Sequence, residues 1–237
     1  MAEKLGVDPA KICCVSIMPC TAKKYECDEH TLRDSGFKDV DVVLTTRELD
    51  NLISMDVIKA AQLPEMPFES FFGEGTGAGV IFGATGGVME AALRSAYFLI
   101  TGENPPVDAF QNVRGMDGWK EATFTVAGIK LRIAVANGLG NTRKLIEAIK
   151  AGEVSYDFVE IMACPGGCSG GGGQPIHDGT EMAALRGSEL YNIDNTLEIR
   201  FSHENPTVTM SYEEYFGKPN SEKAHHLLHT DVSQWRL

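Results

Sequence analysis

Apolar positions along this chain come in short runs broken by polar and glycine-rich stretches, a pattern that predicts alternating strands and helices. Ala2 to Val7 reads as a helix end stopped near Gly6, and the run Ile12-Cys13-Cys14-Val15-Ser16-Ile17 reads as a short buried strand with Met18-Pro19-Cys20 at its exit. A second run, Val40 to Leu44, precedes Thr45-Thr46-Arg47-Glu48, whose Thr45-x-x-Glu48 spacing predicts a capping box and a helix through about Ile53. Strand followed by helix is an α/β signature.

Seven glycines lie between Gly73 and Gly87, and Val88 to about Ile100 follows as a helix. Thr123 to Val126 and Lys130 to Ala136 flank Ala127-Gly128-Ile129 as a hairpin. Thr142 to Lys150 is amphipathic, with Leu145, Ile146 and Ile149 on one side. A further strand, Phe158 to Met162, delivers the chain to Ala163-Cys164-Pro165-Gly166-Gly167-Cys168. Both cysteine loops thus hang from strand ends, where open α/β sheets place their sites. From Thr180 onward the pattern is mostly helical and charged, with Tyr212 to Phe216 and Glu222 to Leu228 as short helices.

Composition narrows the function classes. The 237 residues carry 43% hydrophobic and 23% charged side chains, an ordinary globular balance. The formal net charge of −12 repels a phosphate backbone, so nucleic acid is not an expected partner. No apolar stretch reaches a membrane span, and no apolar signal region follows Met1-Ala2-Glu3-Lys4, so a cytoplasmic location is expected. Six cysteines, several beside Pro or Gly, suit a reducing compartment where thiolates serve as ligands.

Candidate chemistry centres on those cysteines. An iron-sulfur cubane takes four thiolates, and glycine or proline beside a cysteine lets the chain curl around an inorganic core. Cys20, Cys164 and Cys168 have such neighbours, Cys13 and Cys14 read as packing residues inside a strand, and Cys27 is ambiguous. Zinc competes weakly: the close pairs are Cys164-x3-Cys168 and Cys20-x6-Cys27 rather than C-x2-C knuckles, although His177 could complete a site. A nucleotide loop is not supported, because Gly75-x-Gly77-x-Gly79 lacks the later glycine of the dinucleotide pattern and no G-K-[ST] occurs. Close backbone approach to a bound group is the better expected use of the glycines.

The segments Met18-Pro19-Cys20-Thr21-Ala22-Lys23-Lys24-Tyr25-Glu26 and Met162-Ala163-Cys164-Pro165-Gly166-Gly167-Cys168, continuing through Gln174-Pro175, resemble two of the three signatures of the iron-only (FeFe) hydrogenases. The resemblance extends through Phe82 to Ala92 and on to Ser202-His203-Glu204-Asn205-Pro206 and Ala224 to Thr230, nearly the whole chain. It implies an H-cluster, a 4Fe-4S cubane joined by a cysteine sulfur to a two-iron subcluster with CO and CN ligands, at which dihydrogen is interconverted with protons and electrons. Carried over by position, Cys20 and Cys164 ligate the cubane and Cys168 bridges it to the two-iron unit. Lys23 donates to a cyanide, Met18 and Met162 wall the pocket, Phe82 and Gly83 line it with Pro19 and Gln174, and Glu26 has a supporting or proton-handling role. The plain alternative for Lys23 and Glu26 is a solvated pair on one helical turn, worth a few tenths of a kcal/mol.

The resemblance also implies a fold: α/β, with mixed sheets flanked by helices, as part of the two-lobed H-cluster domain. Residues 1–100 are expected mainly in one lobe, 101–180 mainly in the other, and 181–237 as a helical tail resembling the hydrogenase small-subunit region. The third family signature, Thr-Ser-Cys-Cys-Pro-x-Trp, does not occur, and Cys13-Cys14, preceded by Ile12 and followed by Val15, does not replace it. A partial domain, a fragment or split subunit inactive alone, is therefore expected, with an apolar face left exposed and a complementary chain or segment supplying the missing cysteines. Other expected partners are a ferredoxin or subunits with relay iron-sulfur clusters, and maturation proteins. A non-catalytic iron-sulfur binding or assembly protein is the rival reading.

Overall fold

The computed structural model describes residues 2–33, 36–67, 74–230 and 233. Its helices are α1 (Ala2–Leu5), α2 (Lys23–Glu26), α3 (Thr46–Met55), α4 (Gly77–Ile81), α5 (Gly87–Thr101), α6 (Leu139–Lys150), α7 (Ala183–Thr196), α8 (Pro206–Ser211) and α9 (Glu222–Leu228). Its strands are β1 (Val15–Met18), β2 (Val42–Thr45), β3 (Trp119–Val126), β4 (Ile129–Asn137) and β5 (Phe158–Met162). Two compact units divide the chain: Met1–Glu65 with Gly172–Ile176 and Met210–Leu237, and Met66–Gly171 with His177–Thr209.

In the first unit β1 and β2 form a parallel pair, Val15 opposite Val42 and Met18 opposite Thr45. The capping box is present as the spacing predicts: the Thr45 hydroxyl accepts the Glu48 N–H and the Glu48 carboxylate accepts the Thr45 N–H. With Lys24 also donating to it, the Glu48 carboxyl is held down to about 2. Val15, Ile17 and Val42 leave an apolar sheet face open to solvent. Cys13 and Cys14 precede β1 and are exposed rather than packed. The strand begins only at Val15, because the Asp41 carboxylate takes the Cys14 N–H at 2.8 Å before the ladder starts.

The second unit holds a mixed sheet in the order β3-β4-β5, antiparallel then parallel. Ala127 (φ 47) and Gly128 (φ 82) turn the hairpin, both in the left-handed region that a two-residue turn matching strand twist requires. Helix α5 lies on this sheet: Met89 and Leu93 pack with Phe110, Val113, Ile133 and Val135 in the main core, where burial of each large side chain stabilises by about 1.5–3 kcal/mol. That packing is why Ile100, the expected lobe boundary, falls inside a unit that begins at Met66. On α6 the buried positions are Thr142, Leu145 and Ala148; Ile146 and Ile149 are exposed, so the inward stripe runs at i, i+3 from Thr142.

Gly77, Gly83, Gly86 and Gly87 serve close protein contacts, whereas Gly73 lies outside the described residues. A Cβ on Gly77 would fall 2.0 Å from Asp194 Oδ1, and one on Gly83 2.6 Å from Leu190 Cδ1, so α4 approaches α7 more closely than any side chain permits. At Gly77 and Gly83 the close approach is of helix to helix. No helix among the described residues is long and apolar enough to cross a membrane.

Candidate metal centre

In the first unit β1 ends at Met18, and Pro19 and Cys20 follow as half-buried residues. The Pro19 carbonyl accepts the Gly173 N–H at 3.0 Å. A Cβ on Gly173 would meet Thr45 Cβ at 2.8 Å, so only glycine fits there. Arg47 fastens the same segment: its guanidinium donates to the carbonyls of Gly172 (2.8 Å) and Gln174 (2.8 and 3.0 Å), and its N–H donates to Gly173 at 2.9 Å. Gln174 is thereby placed beside the Met18-Pro19-Cys20 turn by a side chain that the sequence marked only as part of a helix start.

Lys23 and Glu26 lie on the single turn of α2, with Lys23 Nζ 2.6 Å from Glu26 Oε2 and both side chains partly exposed. They line a shallow cavity of about 250 Å³ with Ser16, Cys27, Asp39 and Val43. Neither Met18 nor Cys20 lines that cavity. The Cys27 thiol donates to the Lys24 carbonyl at 3.2 Å, a local turn contact.

In the second unit Met162 ends β5, opposite Asn137 of β4. The loop that follows is shaped by glycine. Gly166 (φ 81) and Gly167 (φ 77) are left-handed, and a Cβ on Gly167 would sit 2.9 Å from both the Gly83 carbonyl oxygen and the Thr85 nitrogen. Gly170 lies so close to Pro165 that a Cβ would be 1.9 Å from its carbonyl oxygen. The Gly167 N–H closes a turn onto the Cys164 carbonyl at 3.0 Å, and the Gly171 N–H closes another onto Cys168 at 2.9 Å. Ser169 joins this loop to the Phe82-Gly83 segment: its N–H and its hydroxyl both donate to the Gly83 carbonyl, at 2.9 and 2.8 Å. Phe82, Gly83, Met162, Cys164 and Cys168 therefore belong to one unit, and Met18, Pro19, Cys20, Lys23, Glu26 and Gln174 to the other.

Glu160, two residues before Met162, is buried and accepts the N–H groups of Gly86 (2.7 Å) and Met89 (2.6 Å) at the start of α5. Burial raises its carboxyl above the usual carboxylate range, and the two N–H bonds oppose that shift without cancelling it. Sequence reasoning passed over Glu160, Ser169 and Asn137. A polar residue at an inward strand position, as Glu160 and Asn137 are, was the available signal.

All six cysteines are thiols, and Cys20, Cys164 and Cys168 are half-buried. Among the described residues no three His, Cys, Asp or Glu side chains gather where one ion could be held, His177 included. The donor set itself, thiolates beside proline or glycine on loops at the ends of strands, fits an iron-sulfur cluster, which spreads its thiolates over several irons.

A family model described as the iron-only hydrogenase large subunit, C-terminal domain, matches residues 1–172, and one described as the iron hydrogenase small subunit matches 180–233. The chain is 50% identical over 230 residues to the NADP-reducing hydrogenase subunit HndD of Solidesulfovibrio fructosivorans, covering 97% of this chain and 39% of that protein. It is also 32% identical over 238 residues to cytosolic iron-sulfur assembly component 3 of Rattus norvegicus, covering 97% of this chain and 49% of the relative. A solved FeFe-hydrogenase HydA, described for its stepwise H-cluster assembly, superposes with a TM-score of 0.79 at 45% identity, covering 97% of this chain and 65% of that one. The chain thus spans less than half the length of these two curated relatives. With its cysteine loops on the strand ends of an α/β fold and a family match over residues 1–172, the chain belongs to the iron-only hydrogenase family, as the C-terminal domain of the large subunit continued by the small-subunit region.

Proposed function

We propose that these residues form the H-cluster-binding part of an FeFe hydrogenase, with Cys20 and Cys164 as cubane ligands and Cys168 as the bridging thiolate. The observation that carries the reading is the Cys164–Cys168 loop, whose two left-handed glycines and Ser169 contacts to Gly83 hold two thiolates on a turn that no side chain at Gly167 would permit. When bound, the two-iron subcluster supplies the metal chemistry of dihydrogen cleavage and formation. The chain's own residues shape its surroundings. Lys23 offers a compact ammonium suited to a small anionic ligand such as cyanide, Glu26 holds that ammonium, and Met18, Met162 and Phe82 supply soft or apolar surface. Pro19, Gly83 and Gln174 contribute backbone at the two loops.

Three protein thiolates are assigned where a cubane takes four. The 237 residues alone are therefore expected not to turn over hydrogen, and to do so only with a polypeptide carrying the Thr-Ser-Cys-Cys-Pro-x-Trp segment. A ferredoxin or an electron-transfer subunit is the expected redox partner, maturation proteins deliver the two-iron unit, and the reducing cytoplasm suits the thiols. The likeness to the iron-sulfur assembly component favours a second reading, a non-catalytic iron-sulfur protein. Met18, Lys23, Glu26 and Gln174 separate the two, since a lone cubane has no use for them.

The test is anaerobic reconstitution with iron and sulfide, with and without the cysteine-bearing segment, followed by a synthetic two-iron unit. The hydrogenase reading expects a reduced-cubane EPR signal with the segment, infrared bands from bound carbonyl and cyanide, and viologen-linked hydrogen turnover. A cubane that forms but never accepts the two-iron unit would support the assembly reading. Zinc uptake without iron would defeat both.

A further inference from the structure

Asn137 is the last residue of β4, opposite Met162 in the parallel register and 6% exposed. Both ends of its side chain are engaged. Oδ1 accepts the Gly166 N–H at 2.8 Å and the Thr85 hydroxyl at 3.3 Å, and Nδ2 donates to the Met116 carbonyl at 2.7 Å. The orientation of the carboxamide is settled by its partners, because an N–H must face an acceptor and a carbonyl a donor. Its main chain is equally held: the N–H donates to Gly118 at 2.7 Å, and the carbonyl accepts the Asn141 amide at 2.7 Å.

The residue Asn137 grips matters more than the number of bonds. Gly166 stands between the two cysteines, in the left-handed region, where a Cβ would lie 2.7 Å from Ala183 Cβ. Its peptide sets the path from Cys164 to Cys168. An amide side chain is the group that can accept from this N–H and donate to the Met116 carbonyl at once. Aspartate accepts but cannot donate, and alanine or leucine leaves the buried Gly166 N–H without this partner and the Met116 carbonyl with the Gly118 N–H alone.

We propose that Asn137 is the positioning residue of the cluster loop: by fixing the Gly166 peptide it fixes the direction and separation of the Cys164 and Cys168 thiolates, as partners of metal ligands commonly do. The proposal rests on the reading that these two thiolates hold a cluster. It accounts for a buried amide at the carboxyl end of a sheet strand, where a hydrophobic side chain would otherwise be the simpler choice.

The experiment compares wild-type chain, Asn137→Ala, Asn137→Asp and the core variant Val126→Ala, each reconstituted with iron and sulfide in the presence of the cysteine-bearing segment. Asn137→Ala is expected to lose iron to a chelator with about 10- to 100-fold weaker retention and to give a broadened or multiple reduced-state EPR signal. Asn137→Asp keeps the Gly166 contact and is expected to show a shifted EPR signal with smaller iron loss. Val126→Ala, lowering Tm without touching the loop, should leave retention and spectrum unchanged. Hydrogen exchange of the unloaded chain gives a readout free of the cluster: the Gly166 amide should exchange at least about tenfold faster in Asn137→Ala, corresponding to a lost net hydrogen bond. Wild-type retention, spectrum and Gly166 protection in both Asn137 variants would overturn the proposal, as would a Val126→Ala protein that reproduces their spectra. If instead Cys164→Ser and Cys168→Ser hold iron like wild type, it is the cluster assignment that fails.

Discussion

The guanidinium of Arg94 grips the carboxylate of Asp194, one hundred residues later in the chain, through two hydrogen bonds of 2.9 and 2.8 Å. Both side chains are almost wholly withdrawn from solvent. Arg200 adds a third bond to Asp194 at 2.6 Å, and Glu90 joins Arg94 to Arg114 at 2.6–2.7 Å. Such a set repays its desolvation only when complete. Asp194 also occupies the space that the missing side chain of Gly77 leaves open, so the pair ties α7 to both α4 and α5.

Asp194→Ala should therefore cost about 3–5 kcal/mol in urea unfolding, because Arg200 would lose its carboxylate and Glu90 would be left as the one carboxylate shared by Arg94 and Arg114. Asp194→Asn should cost less. Burial pushes the Asp194 carboxyl up, but the bonds and charges of Arg94 and Arg200 prevail and hold it below its ordinary value of 3.8. The folded chain then releases this proton more readily than the unfolded one. Its contribution to stability is present above the ordinary value and is lost as pH falls through the depressed one. In Asp194→Asn that part of the acid limb should be gone, and an unchanged limb would count against the assignment.

Glu160 gives the opposite slope. Its carboxyl is raised above 4.5 by burial, despite the Gly86 and Met89 N–H bonds. The folded chain holds this proton longer than the unfolded chain, so the contribution is present below 4.5 and lost as pH rises through the folded value. Urea unfolding above pH 4.5 should show stability falling through that window in wild type, and the same decline absent in Glu160→Gln.

Gly167→Ala tests the geometry of the cysteine loop directly. The left-handed backbone costs an alanine about 1–2 kcal/mol, and its Cβ would press on the Gly83 carbonyl and the Thr85 nitrogen, which are backbone atoms with little freedom to move. The variant should lower Tm and lose iron on reconstitution. Gly172→Ala is the matched control, since its Cβ meets nothing nearer than Thr21 Oγ1 at 3.6 Å, and it should change neither.

What the sequence made legible was local. Thr45 and Glu48 announce their capping box three residues apart, Phe158–Met162 is a strand at the expected bounds, and the glycines of the Cys164–Cys168 loop do require left-handed backbone. What it hid depends on partners far along the chain. Arg94 finds Asp194 across one hundred residues, and Arg47 finds Gly172 and Gln174 across more than 120. No periodicity carries such pairings. Cys13 and Cys14 lie in an apolar run that reads as a buried strand, yet the strand starts at Val15 and both are exposed. The packing of α5 on the later hairpin likewise has no sequence mark.

Lys23 and Glu26 remain the sharpest test of what the first cysteine loop is for. Their 2.6 Å pair joins side chains that are 40% and 31% exposed, so it stabilises the turn by no more than about 0.5 kcal/mol. Lys23→Met and Glu26→Gln should accordingly leave Tm nearly where it is. If Lys23 serves a bound cyanide, Lys23→Met should still shift the cyanide stretching bands of the chain loaded with the cysteine-bearing segment and the two-iron unit. Glu26→Gln, which removes only the charge holding Lys23, should shift them less. The order of these two shifts is the informative part: a merely solvated pair predicts no band movement from either substitution, and an ammonium aimed at a small anion predicts that the lysine's effect exceeds that of its carboxylate neighbour.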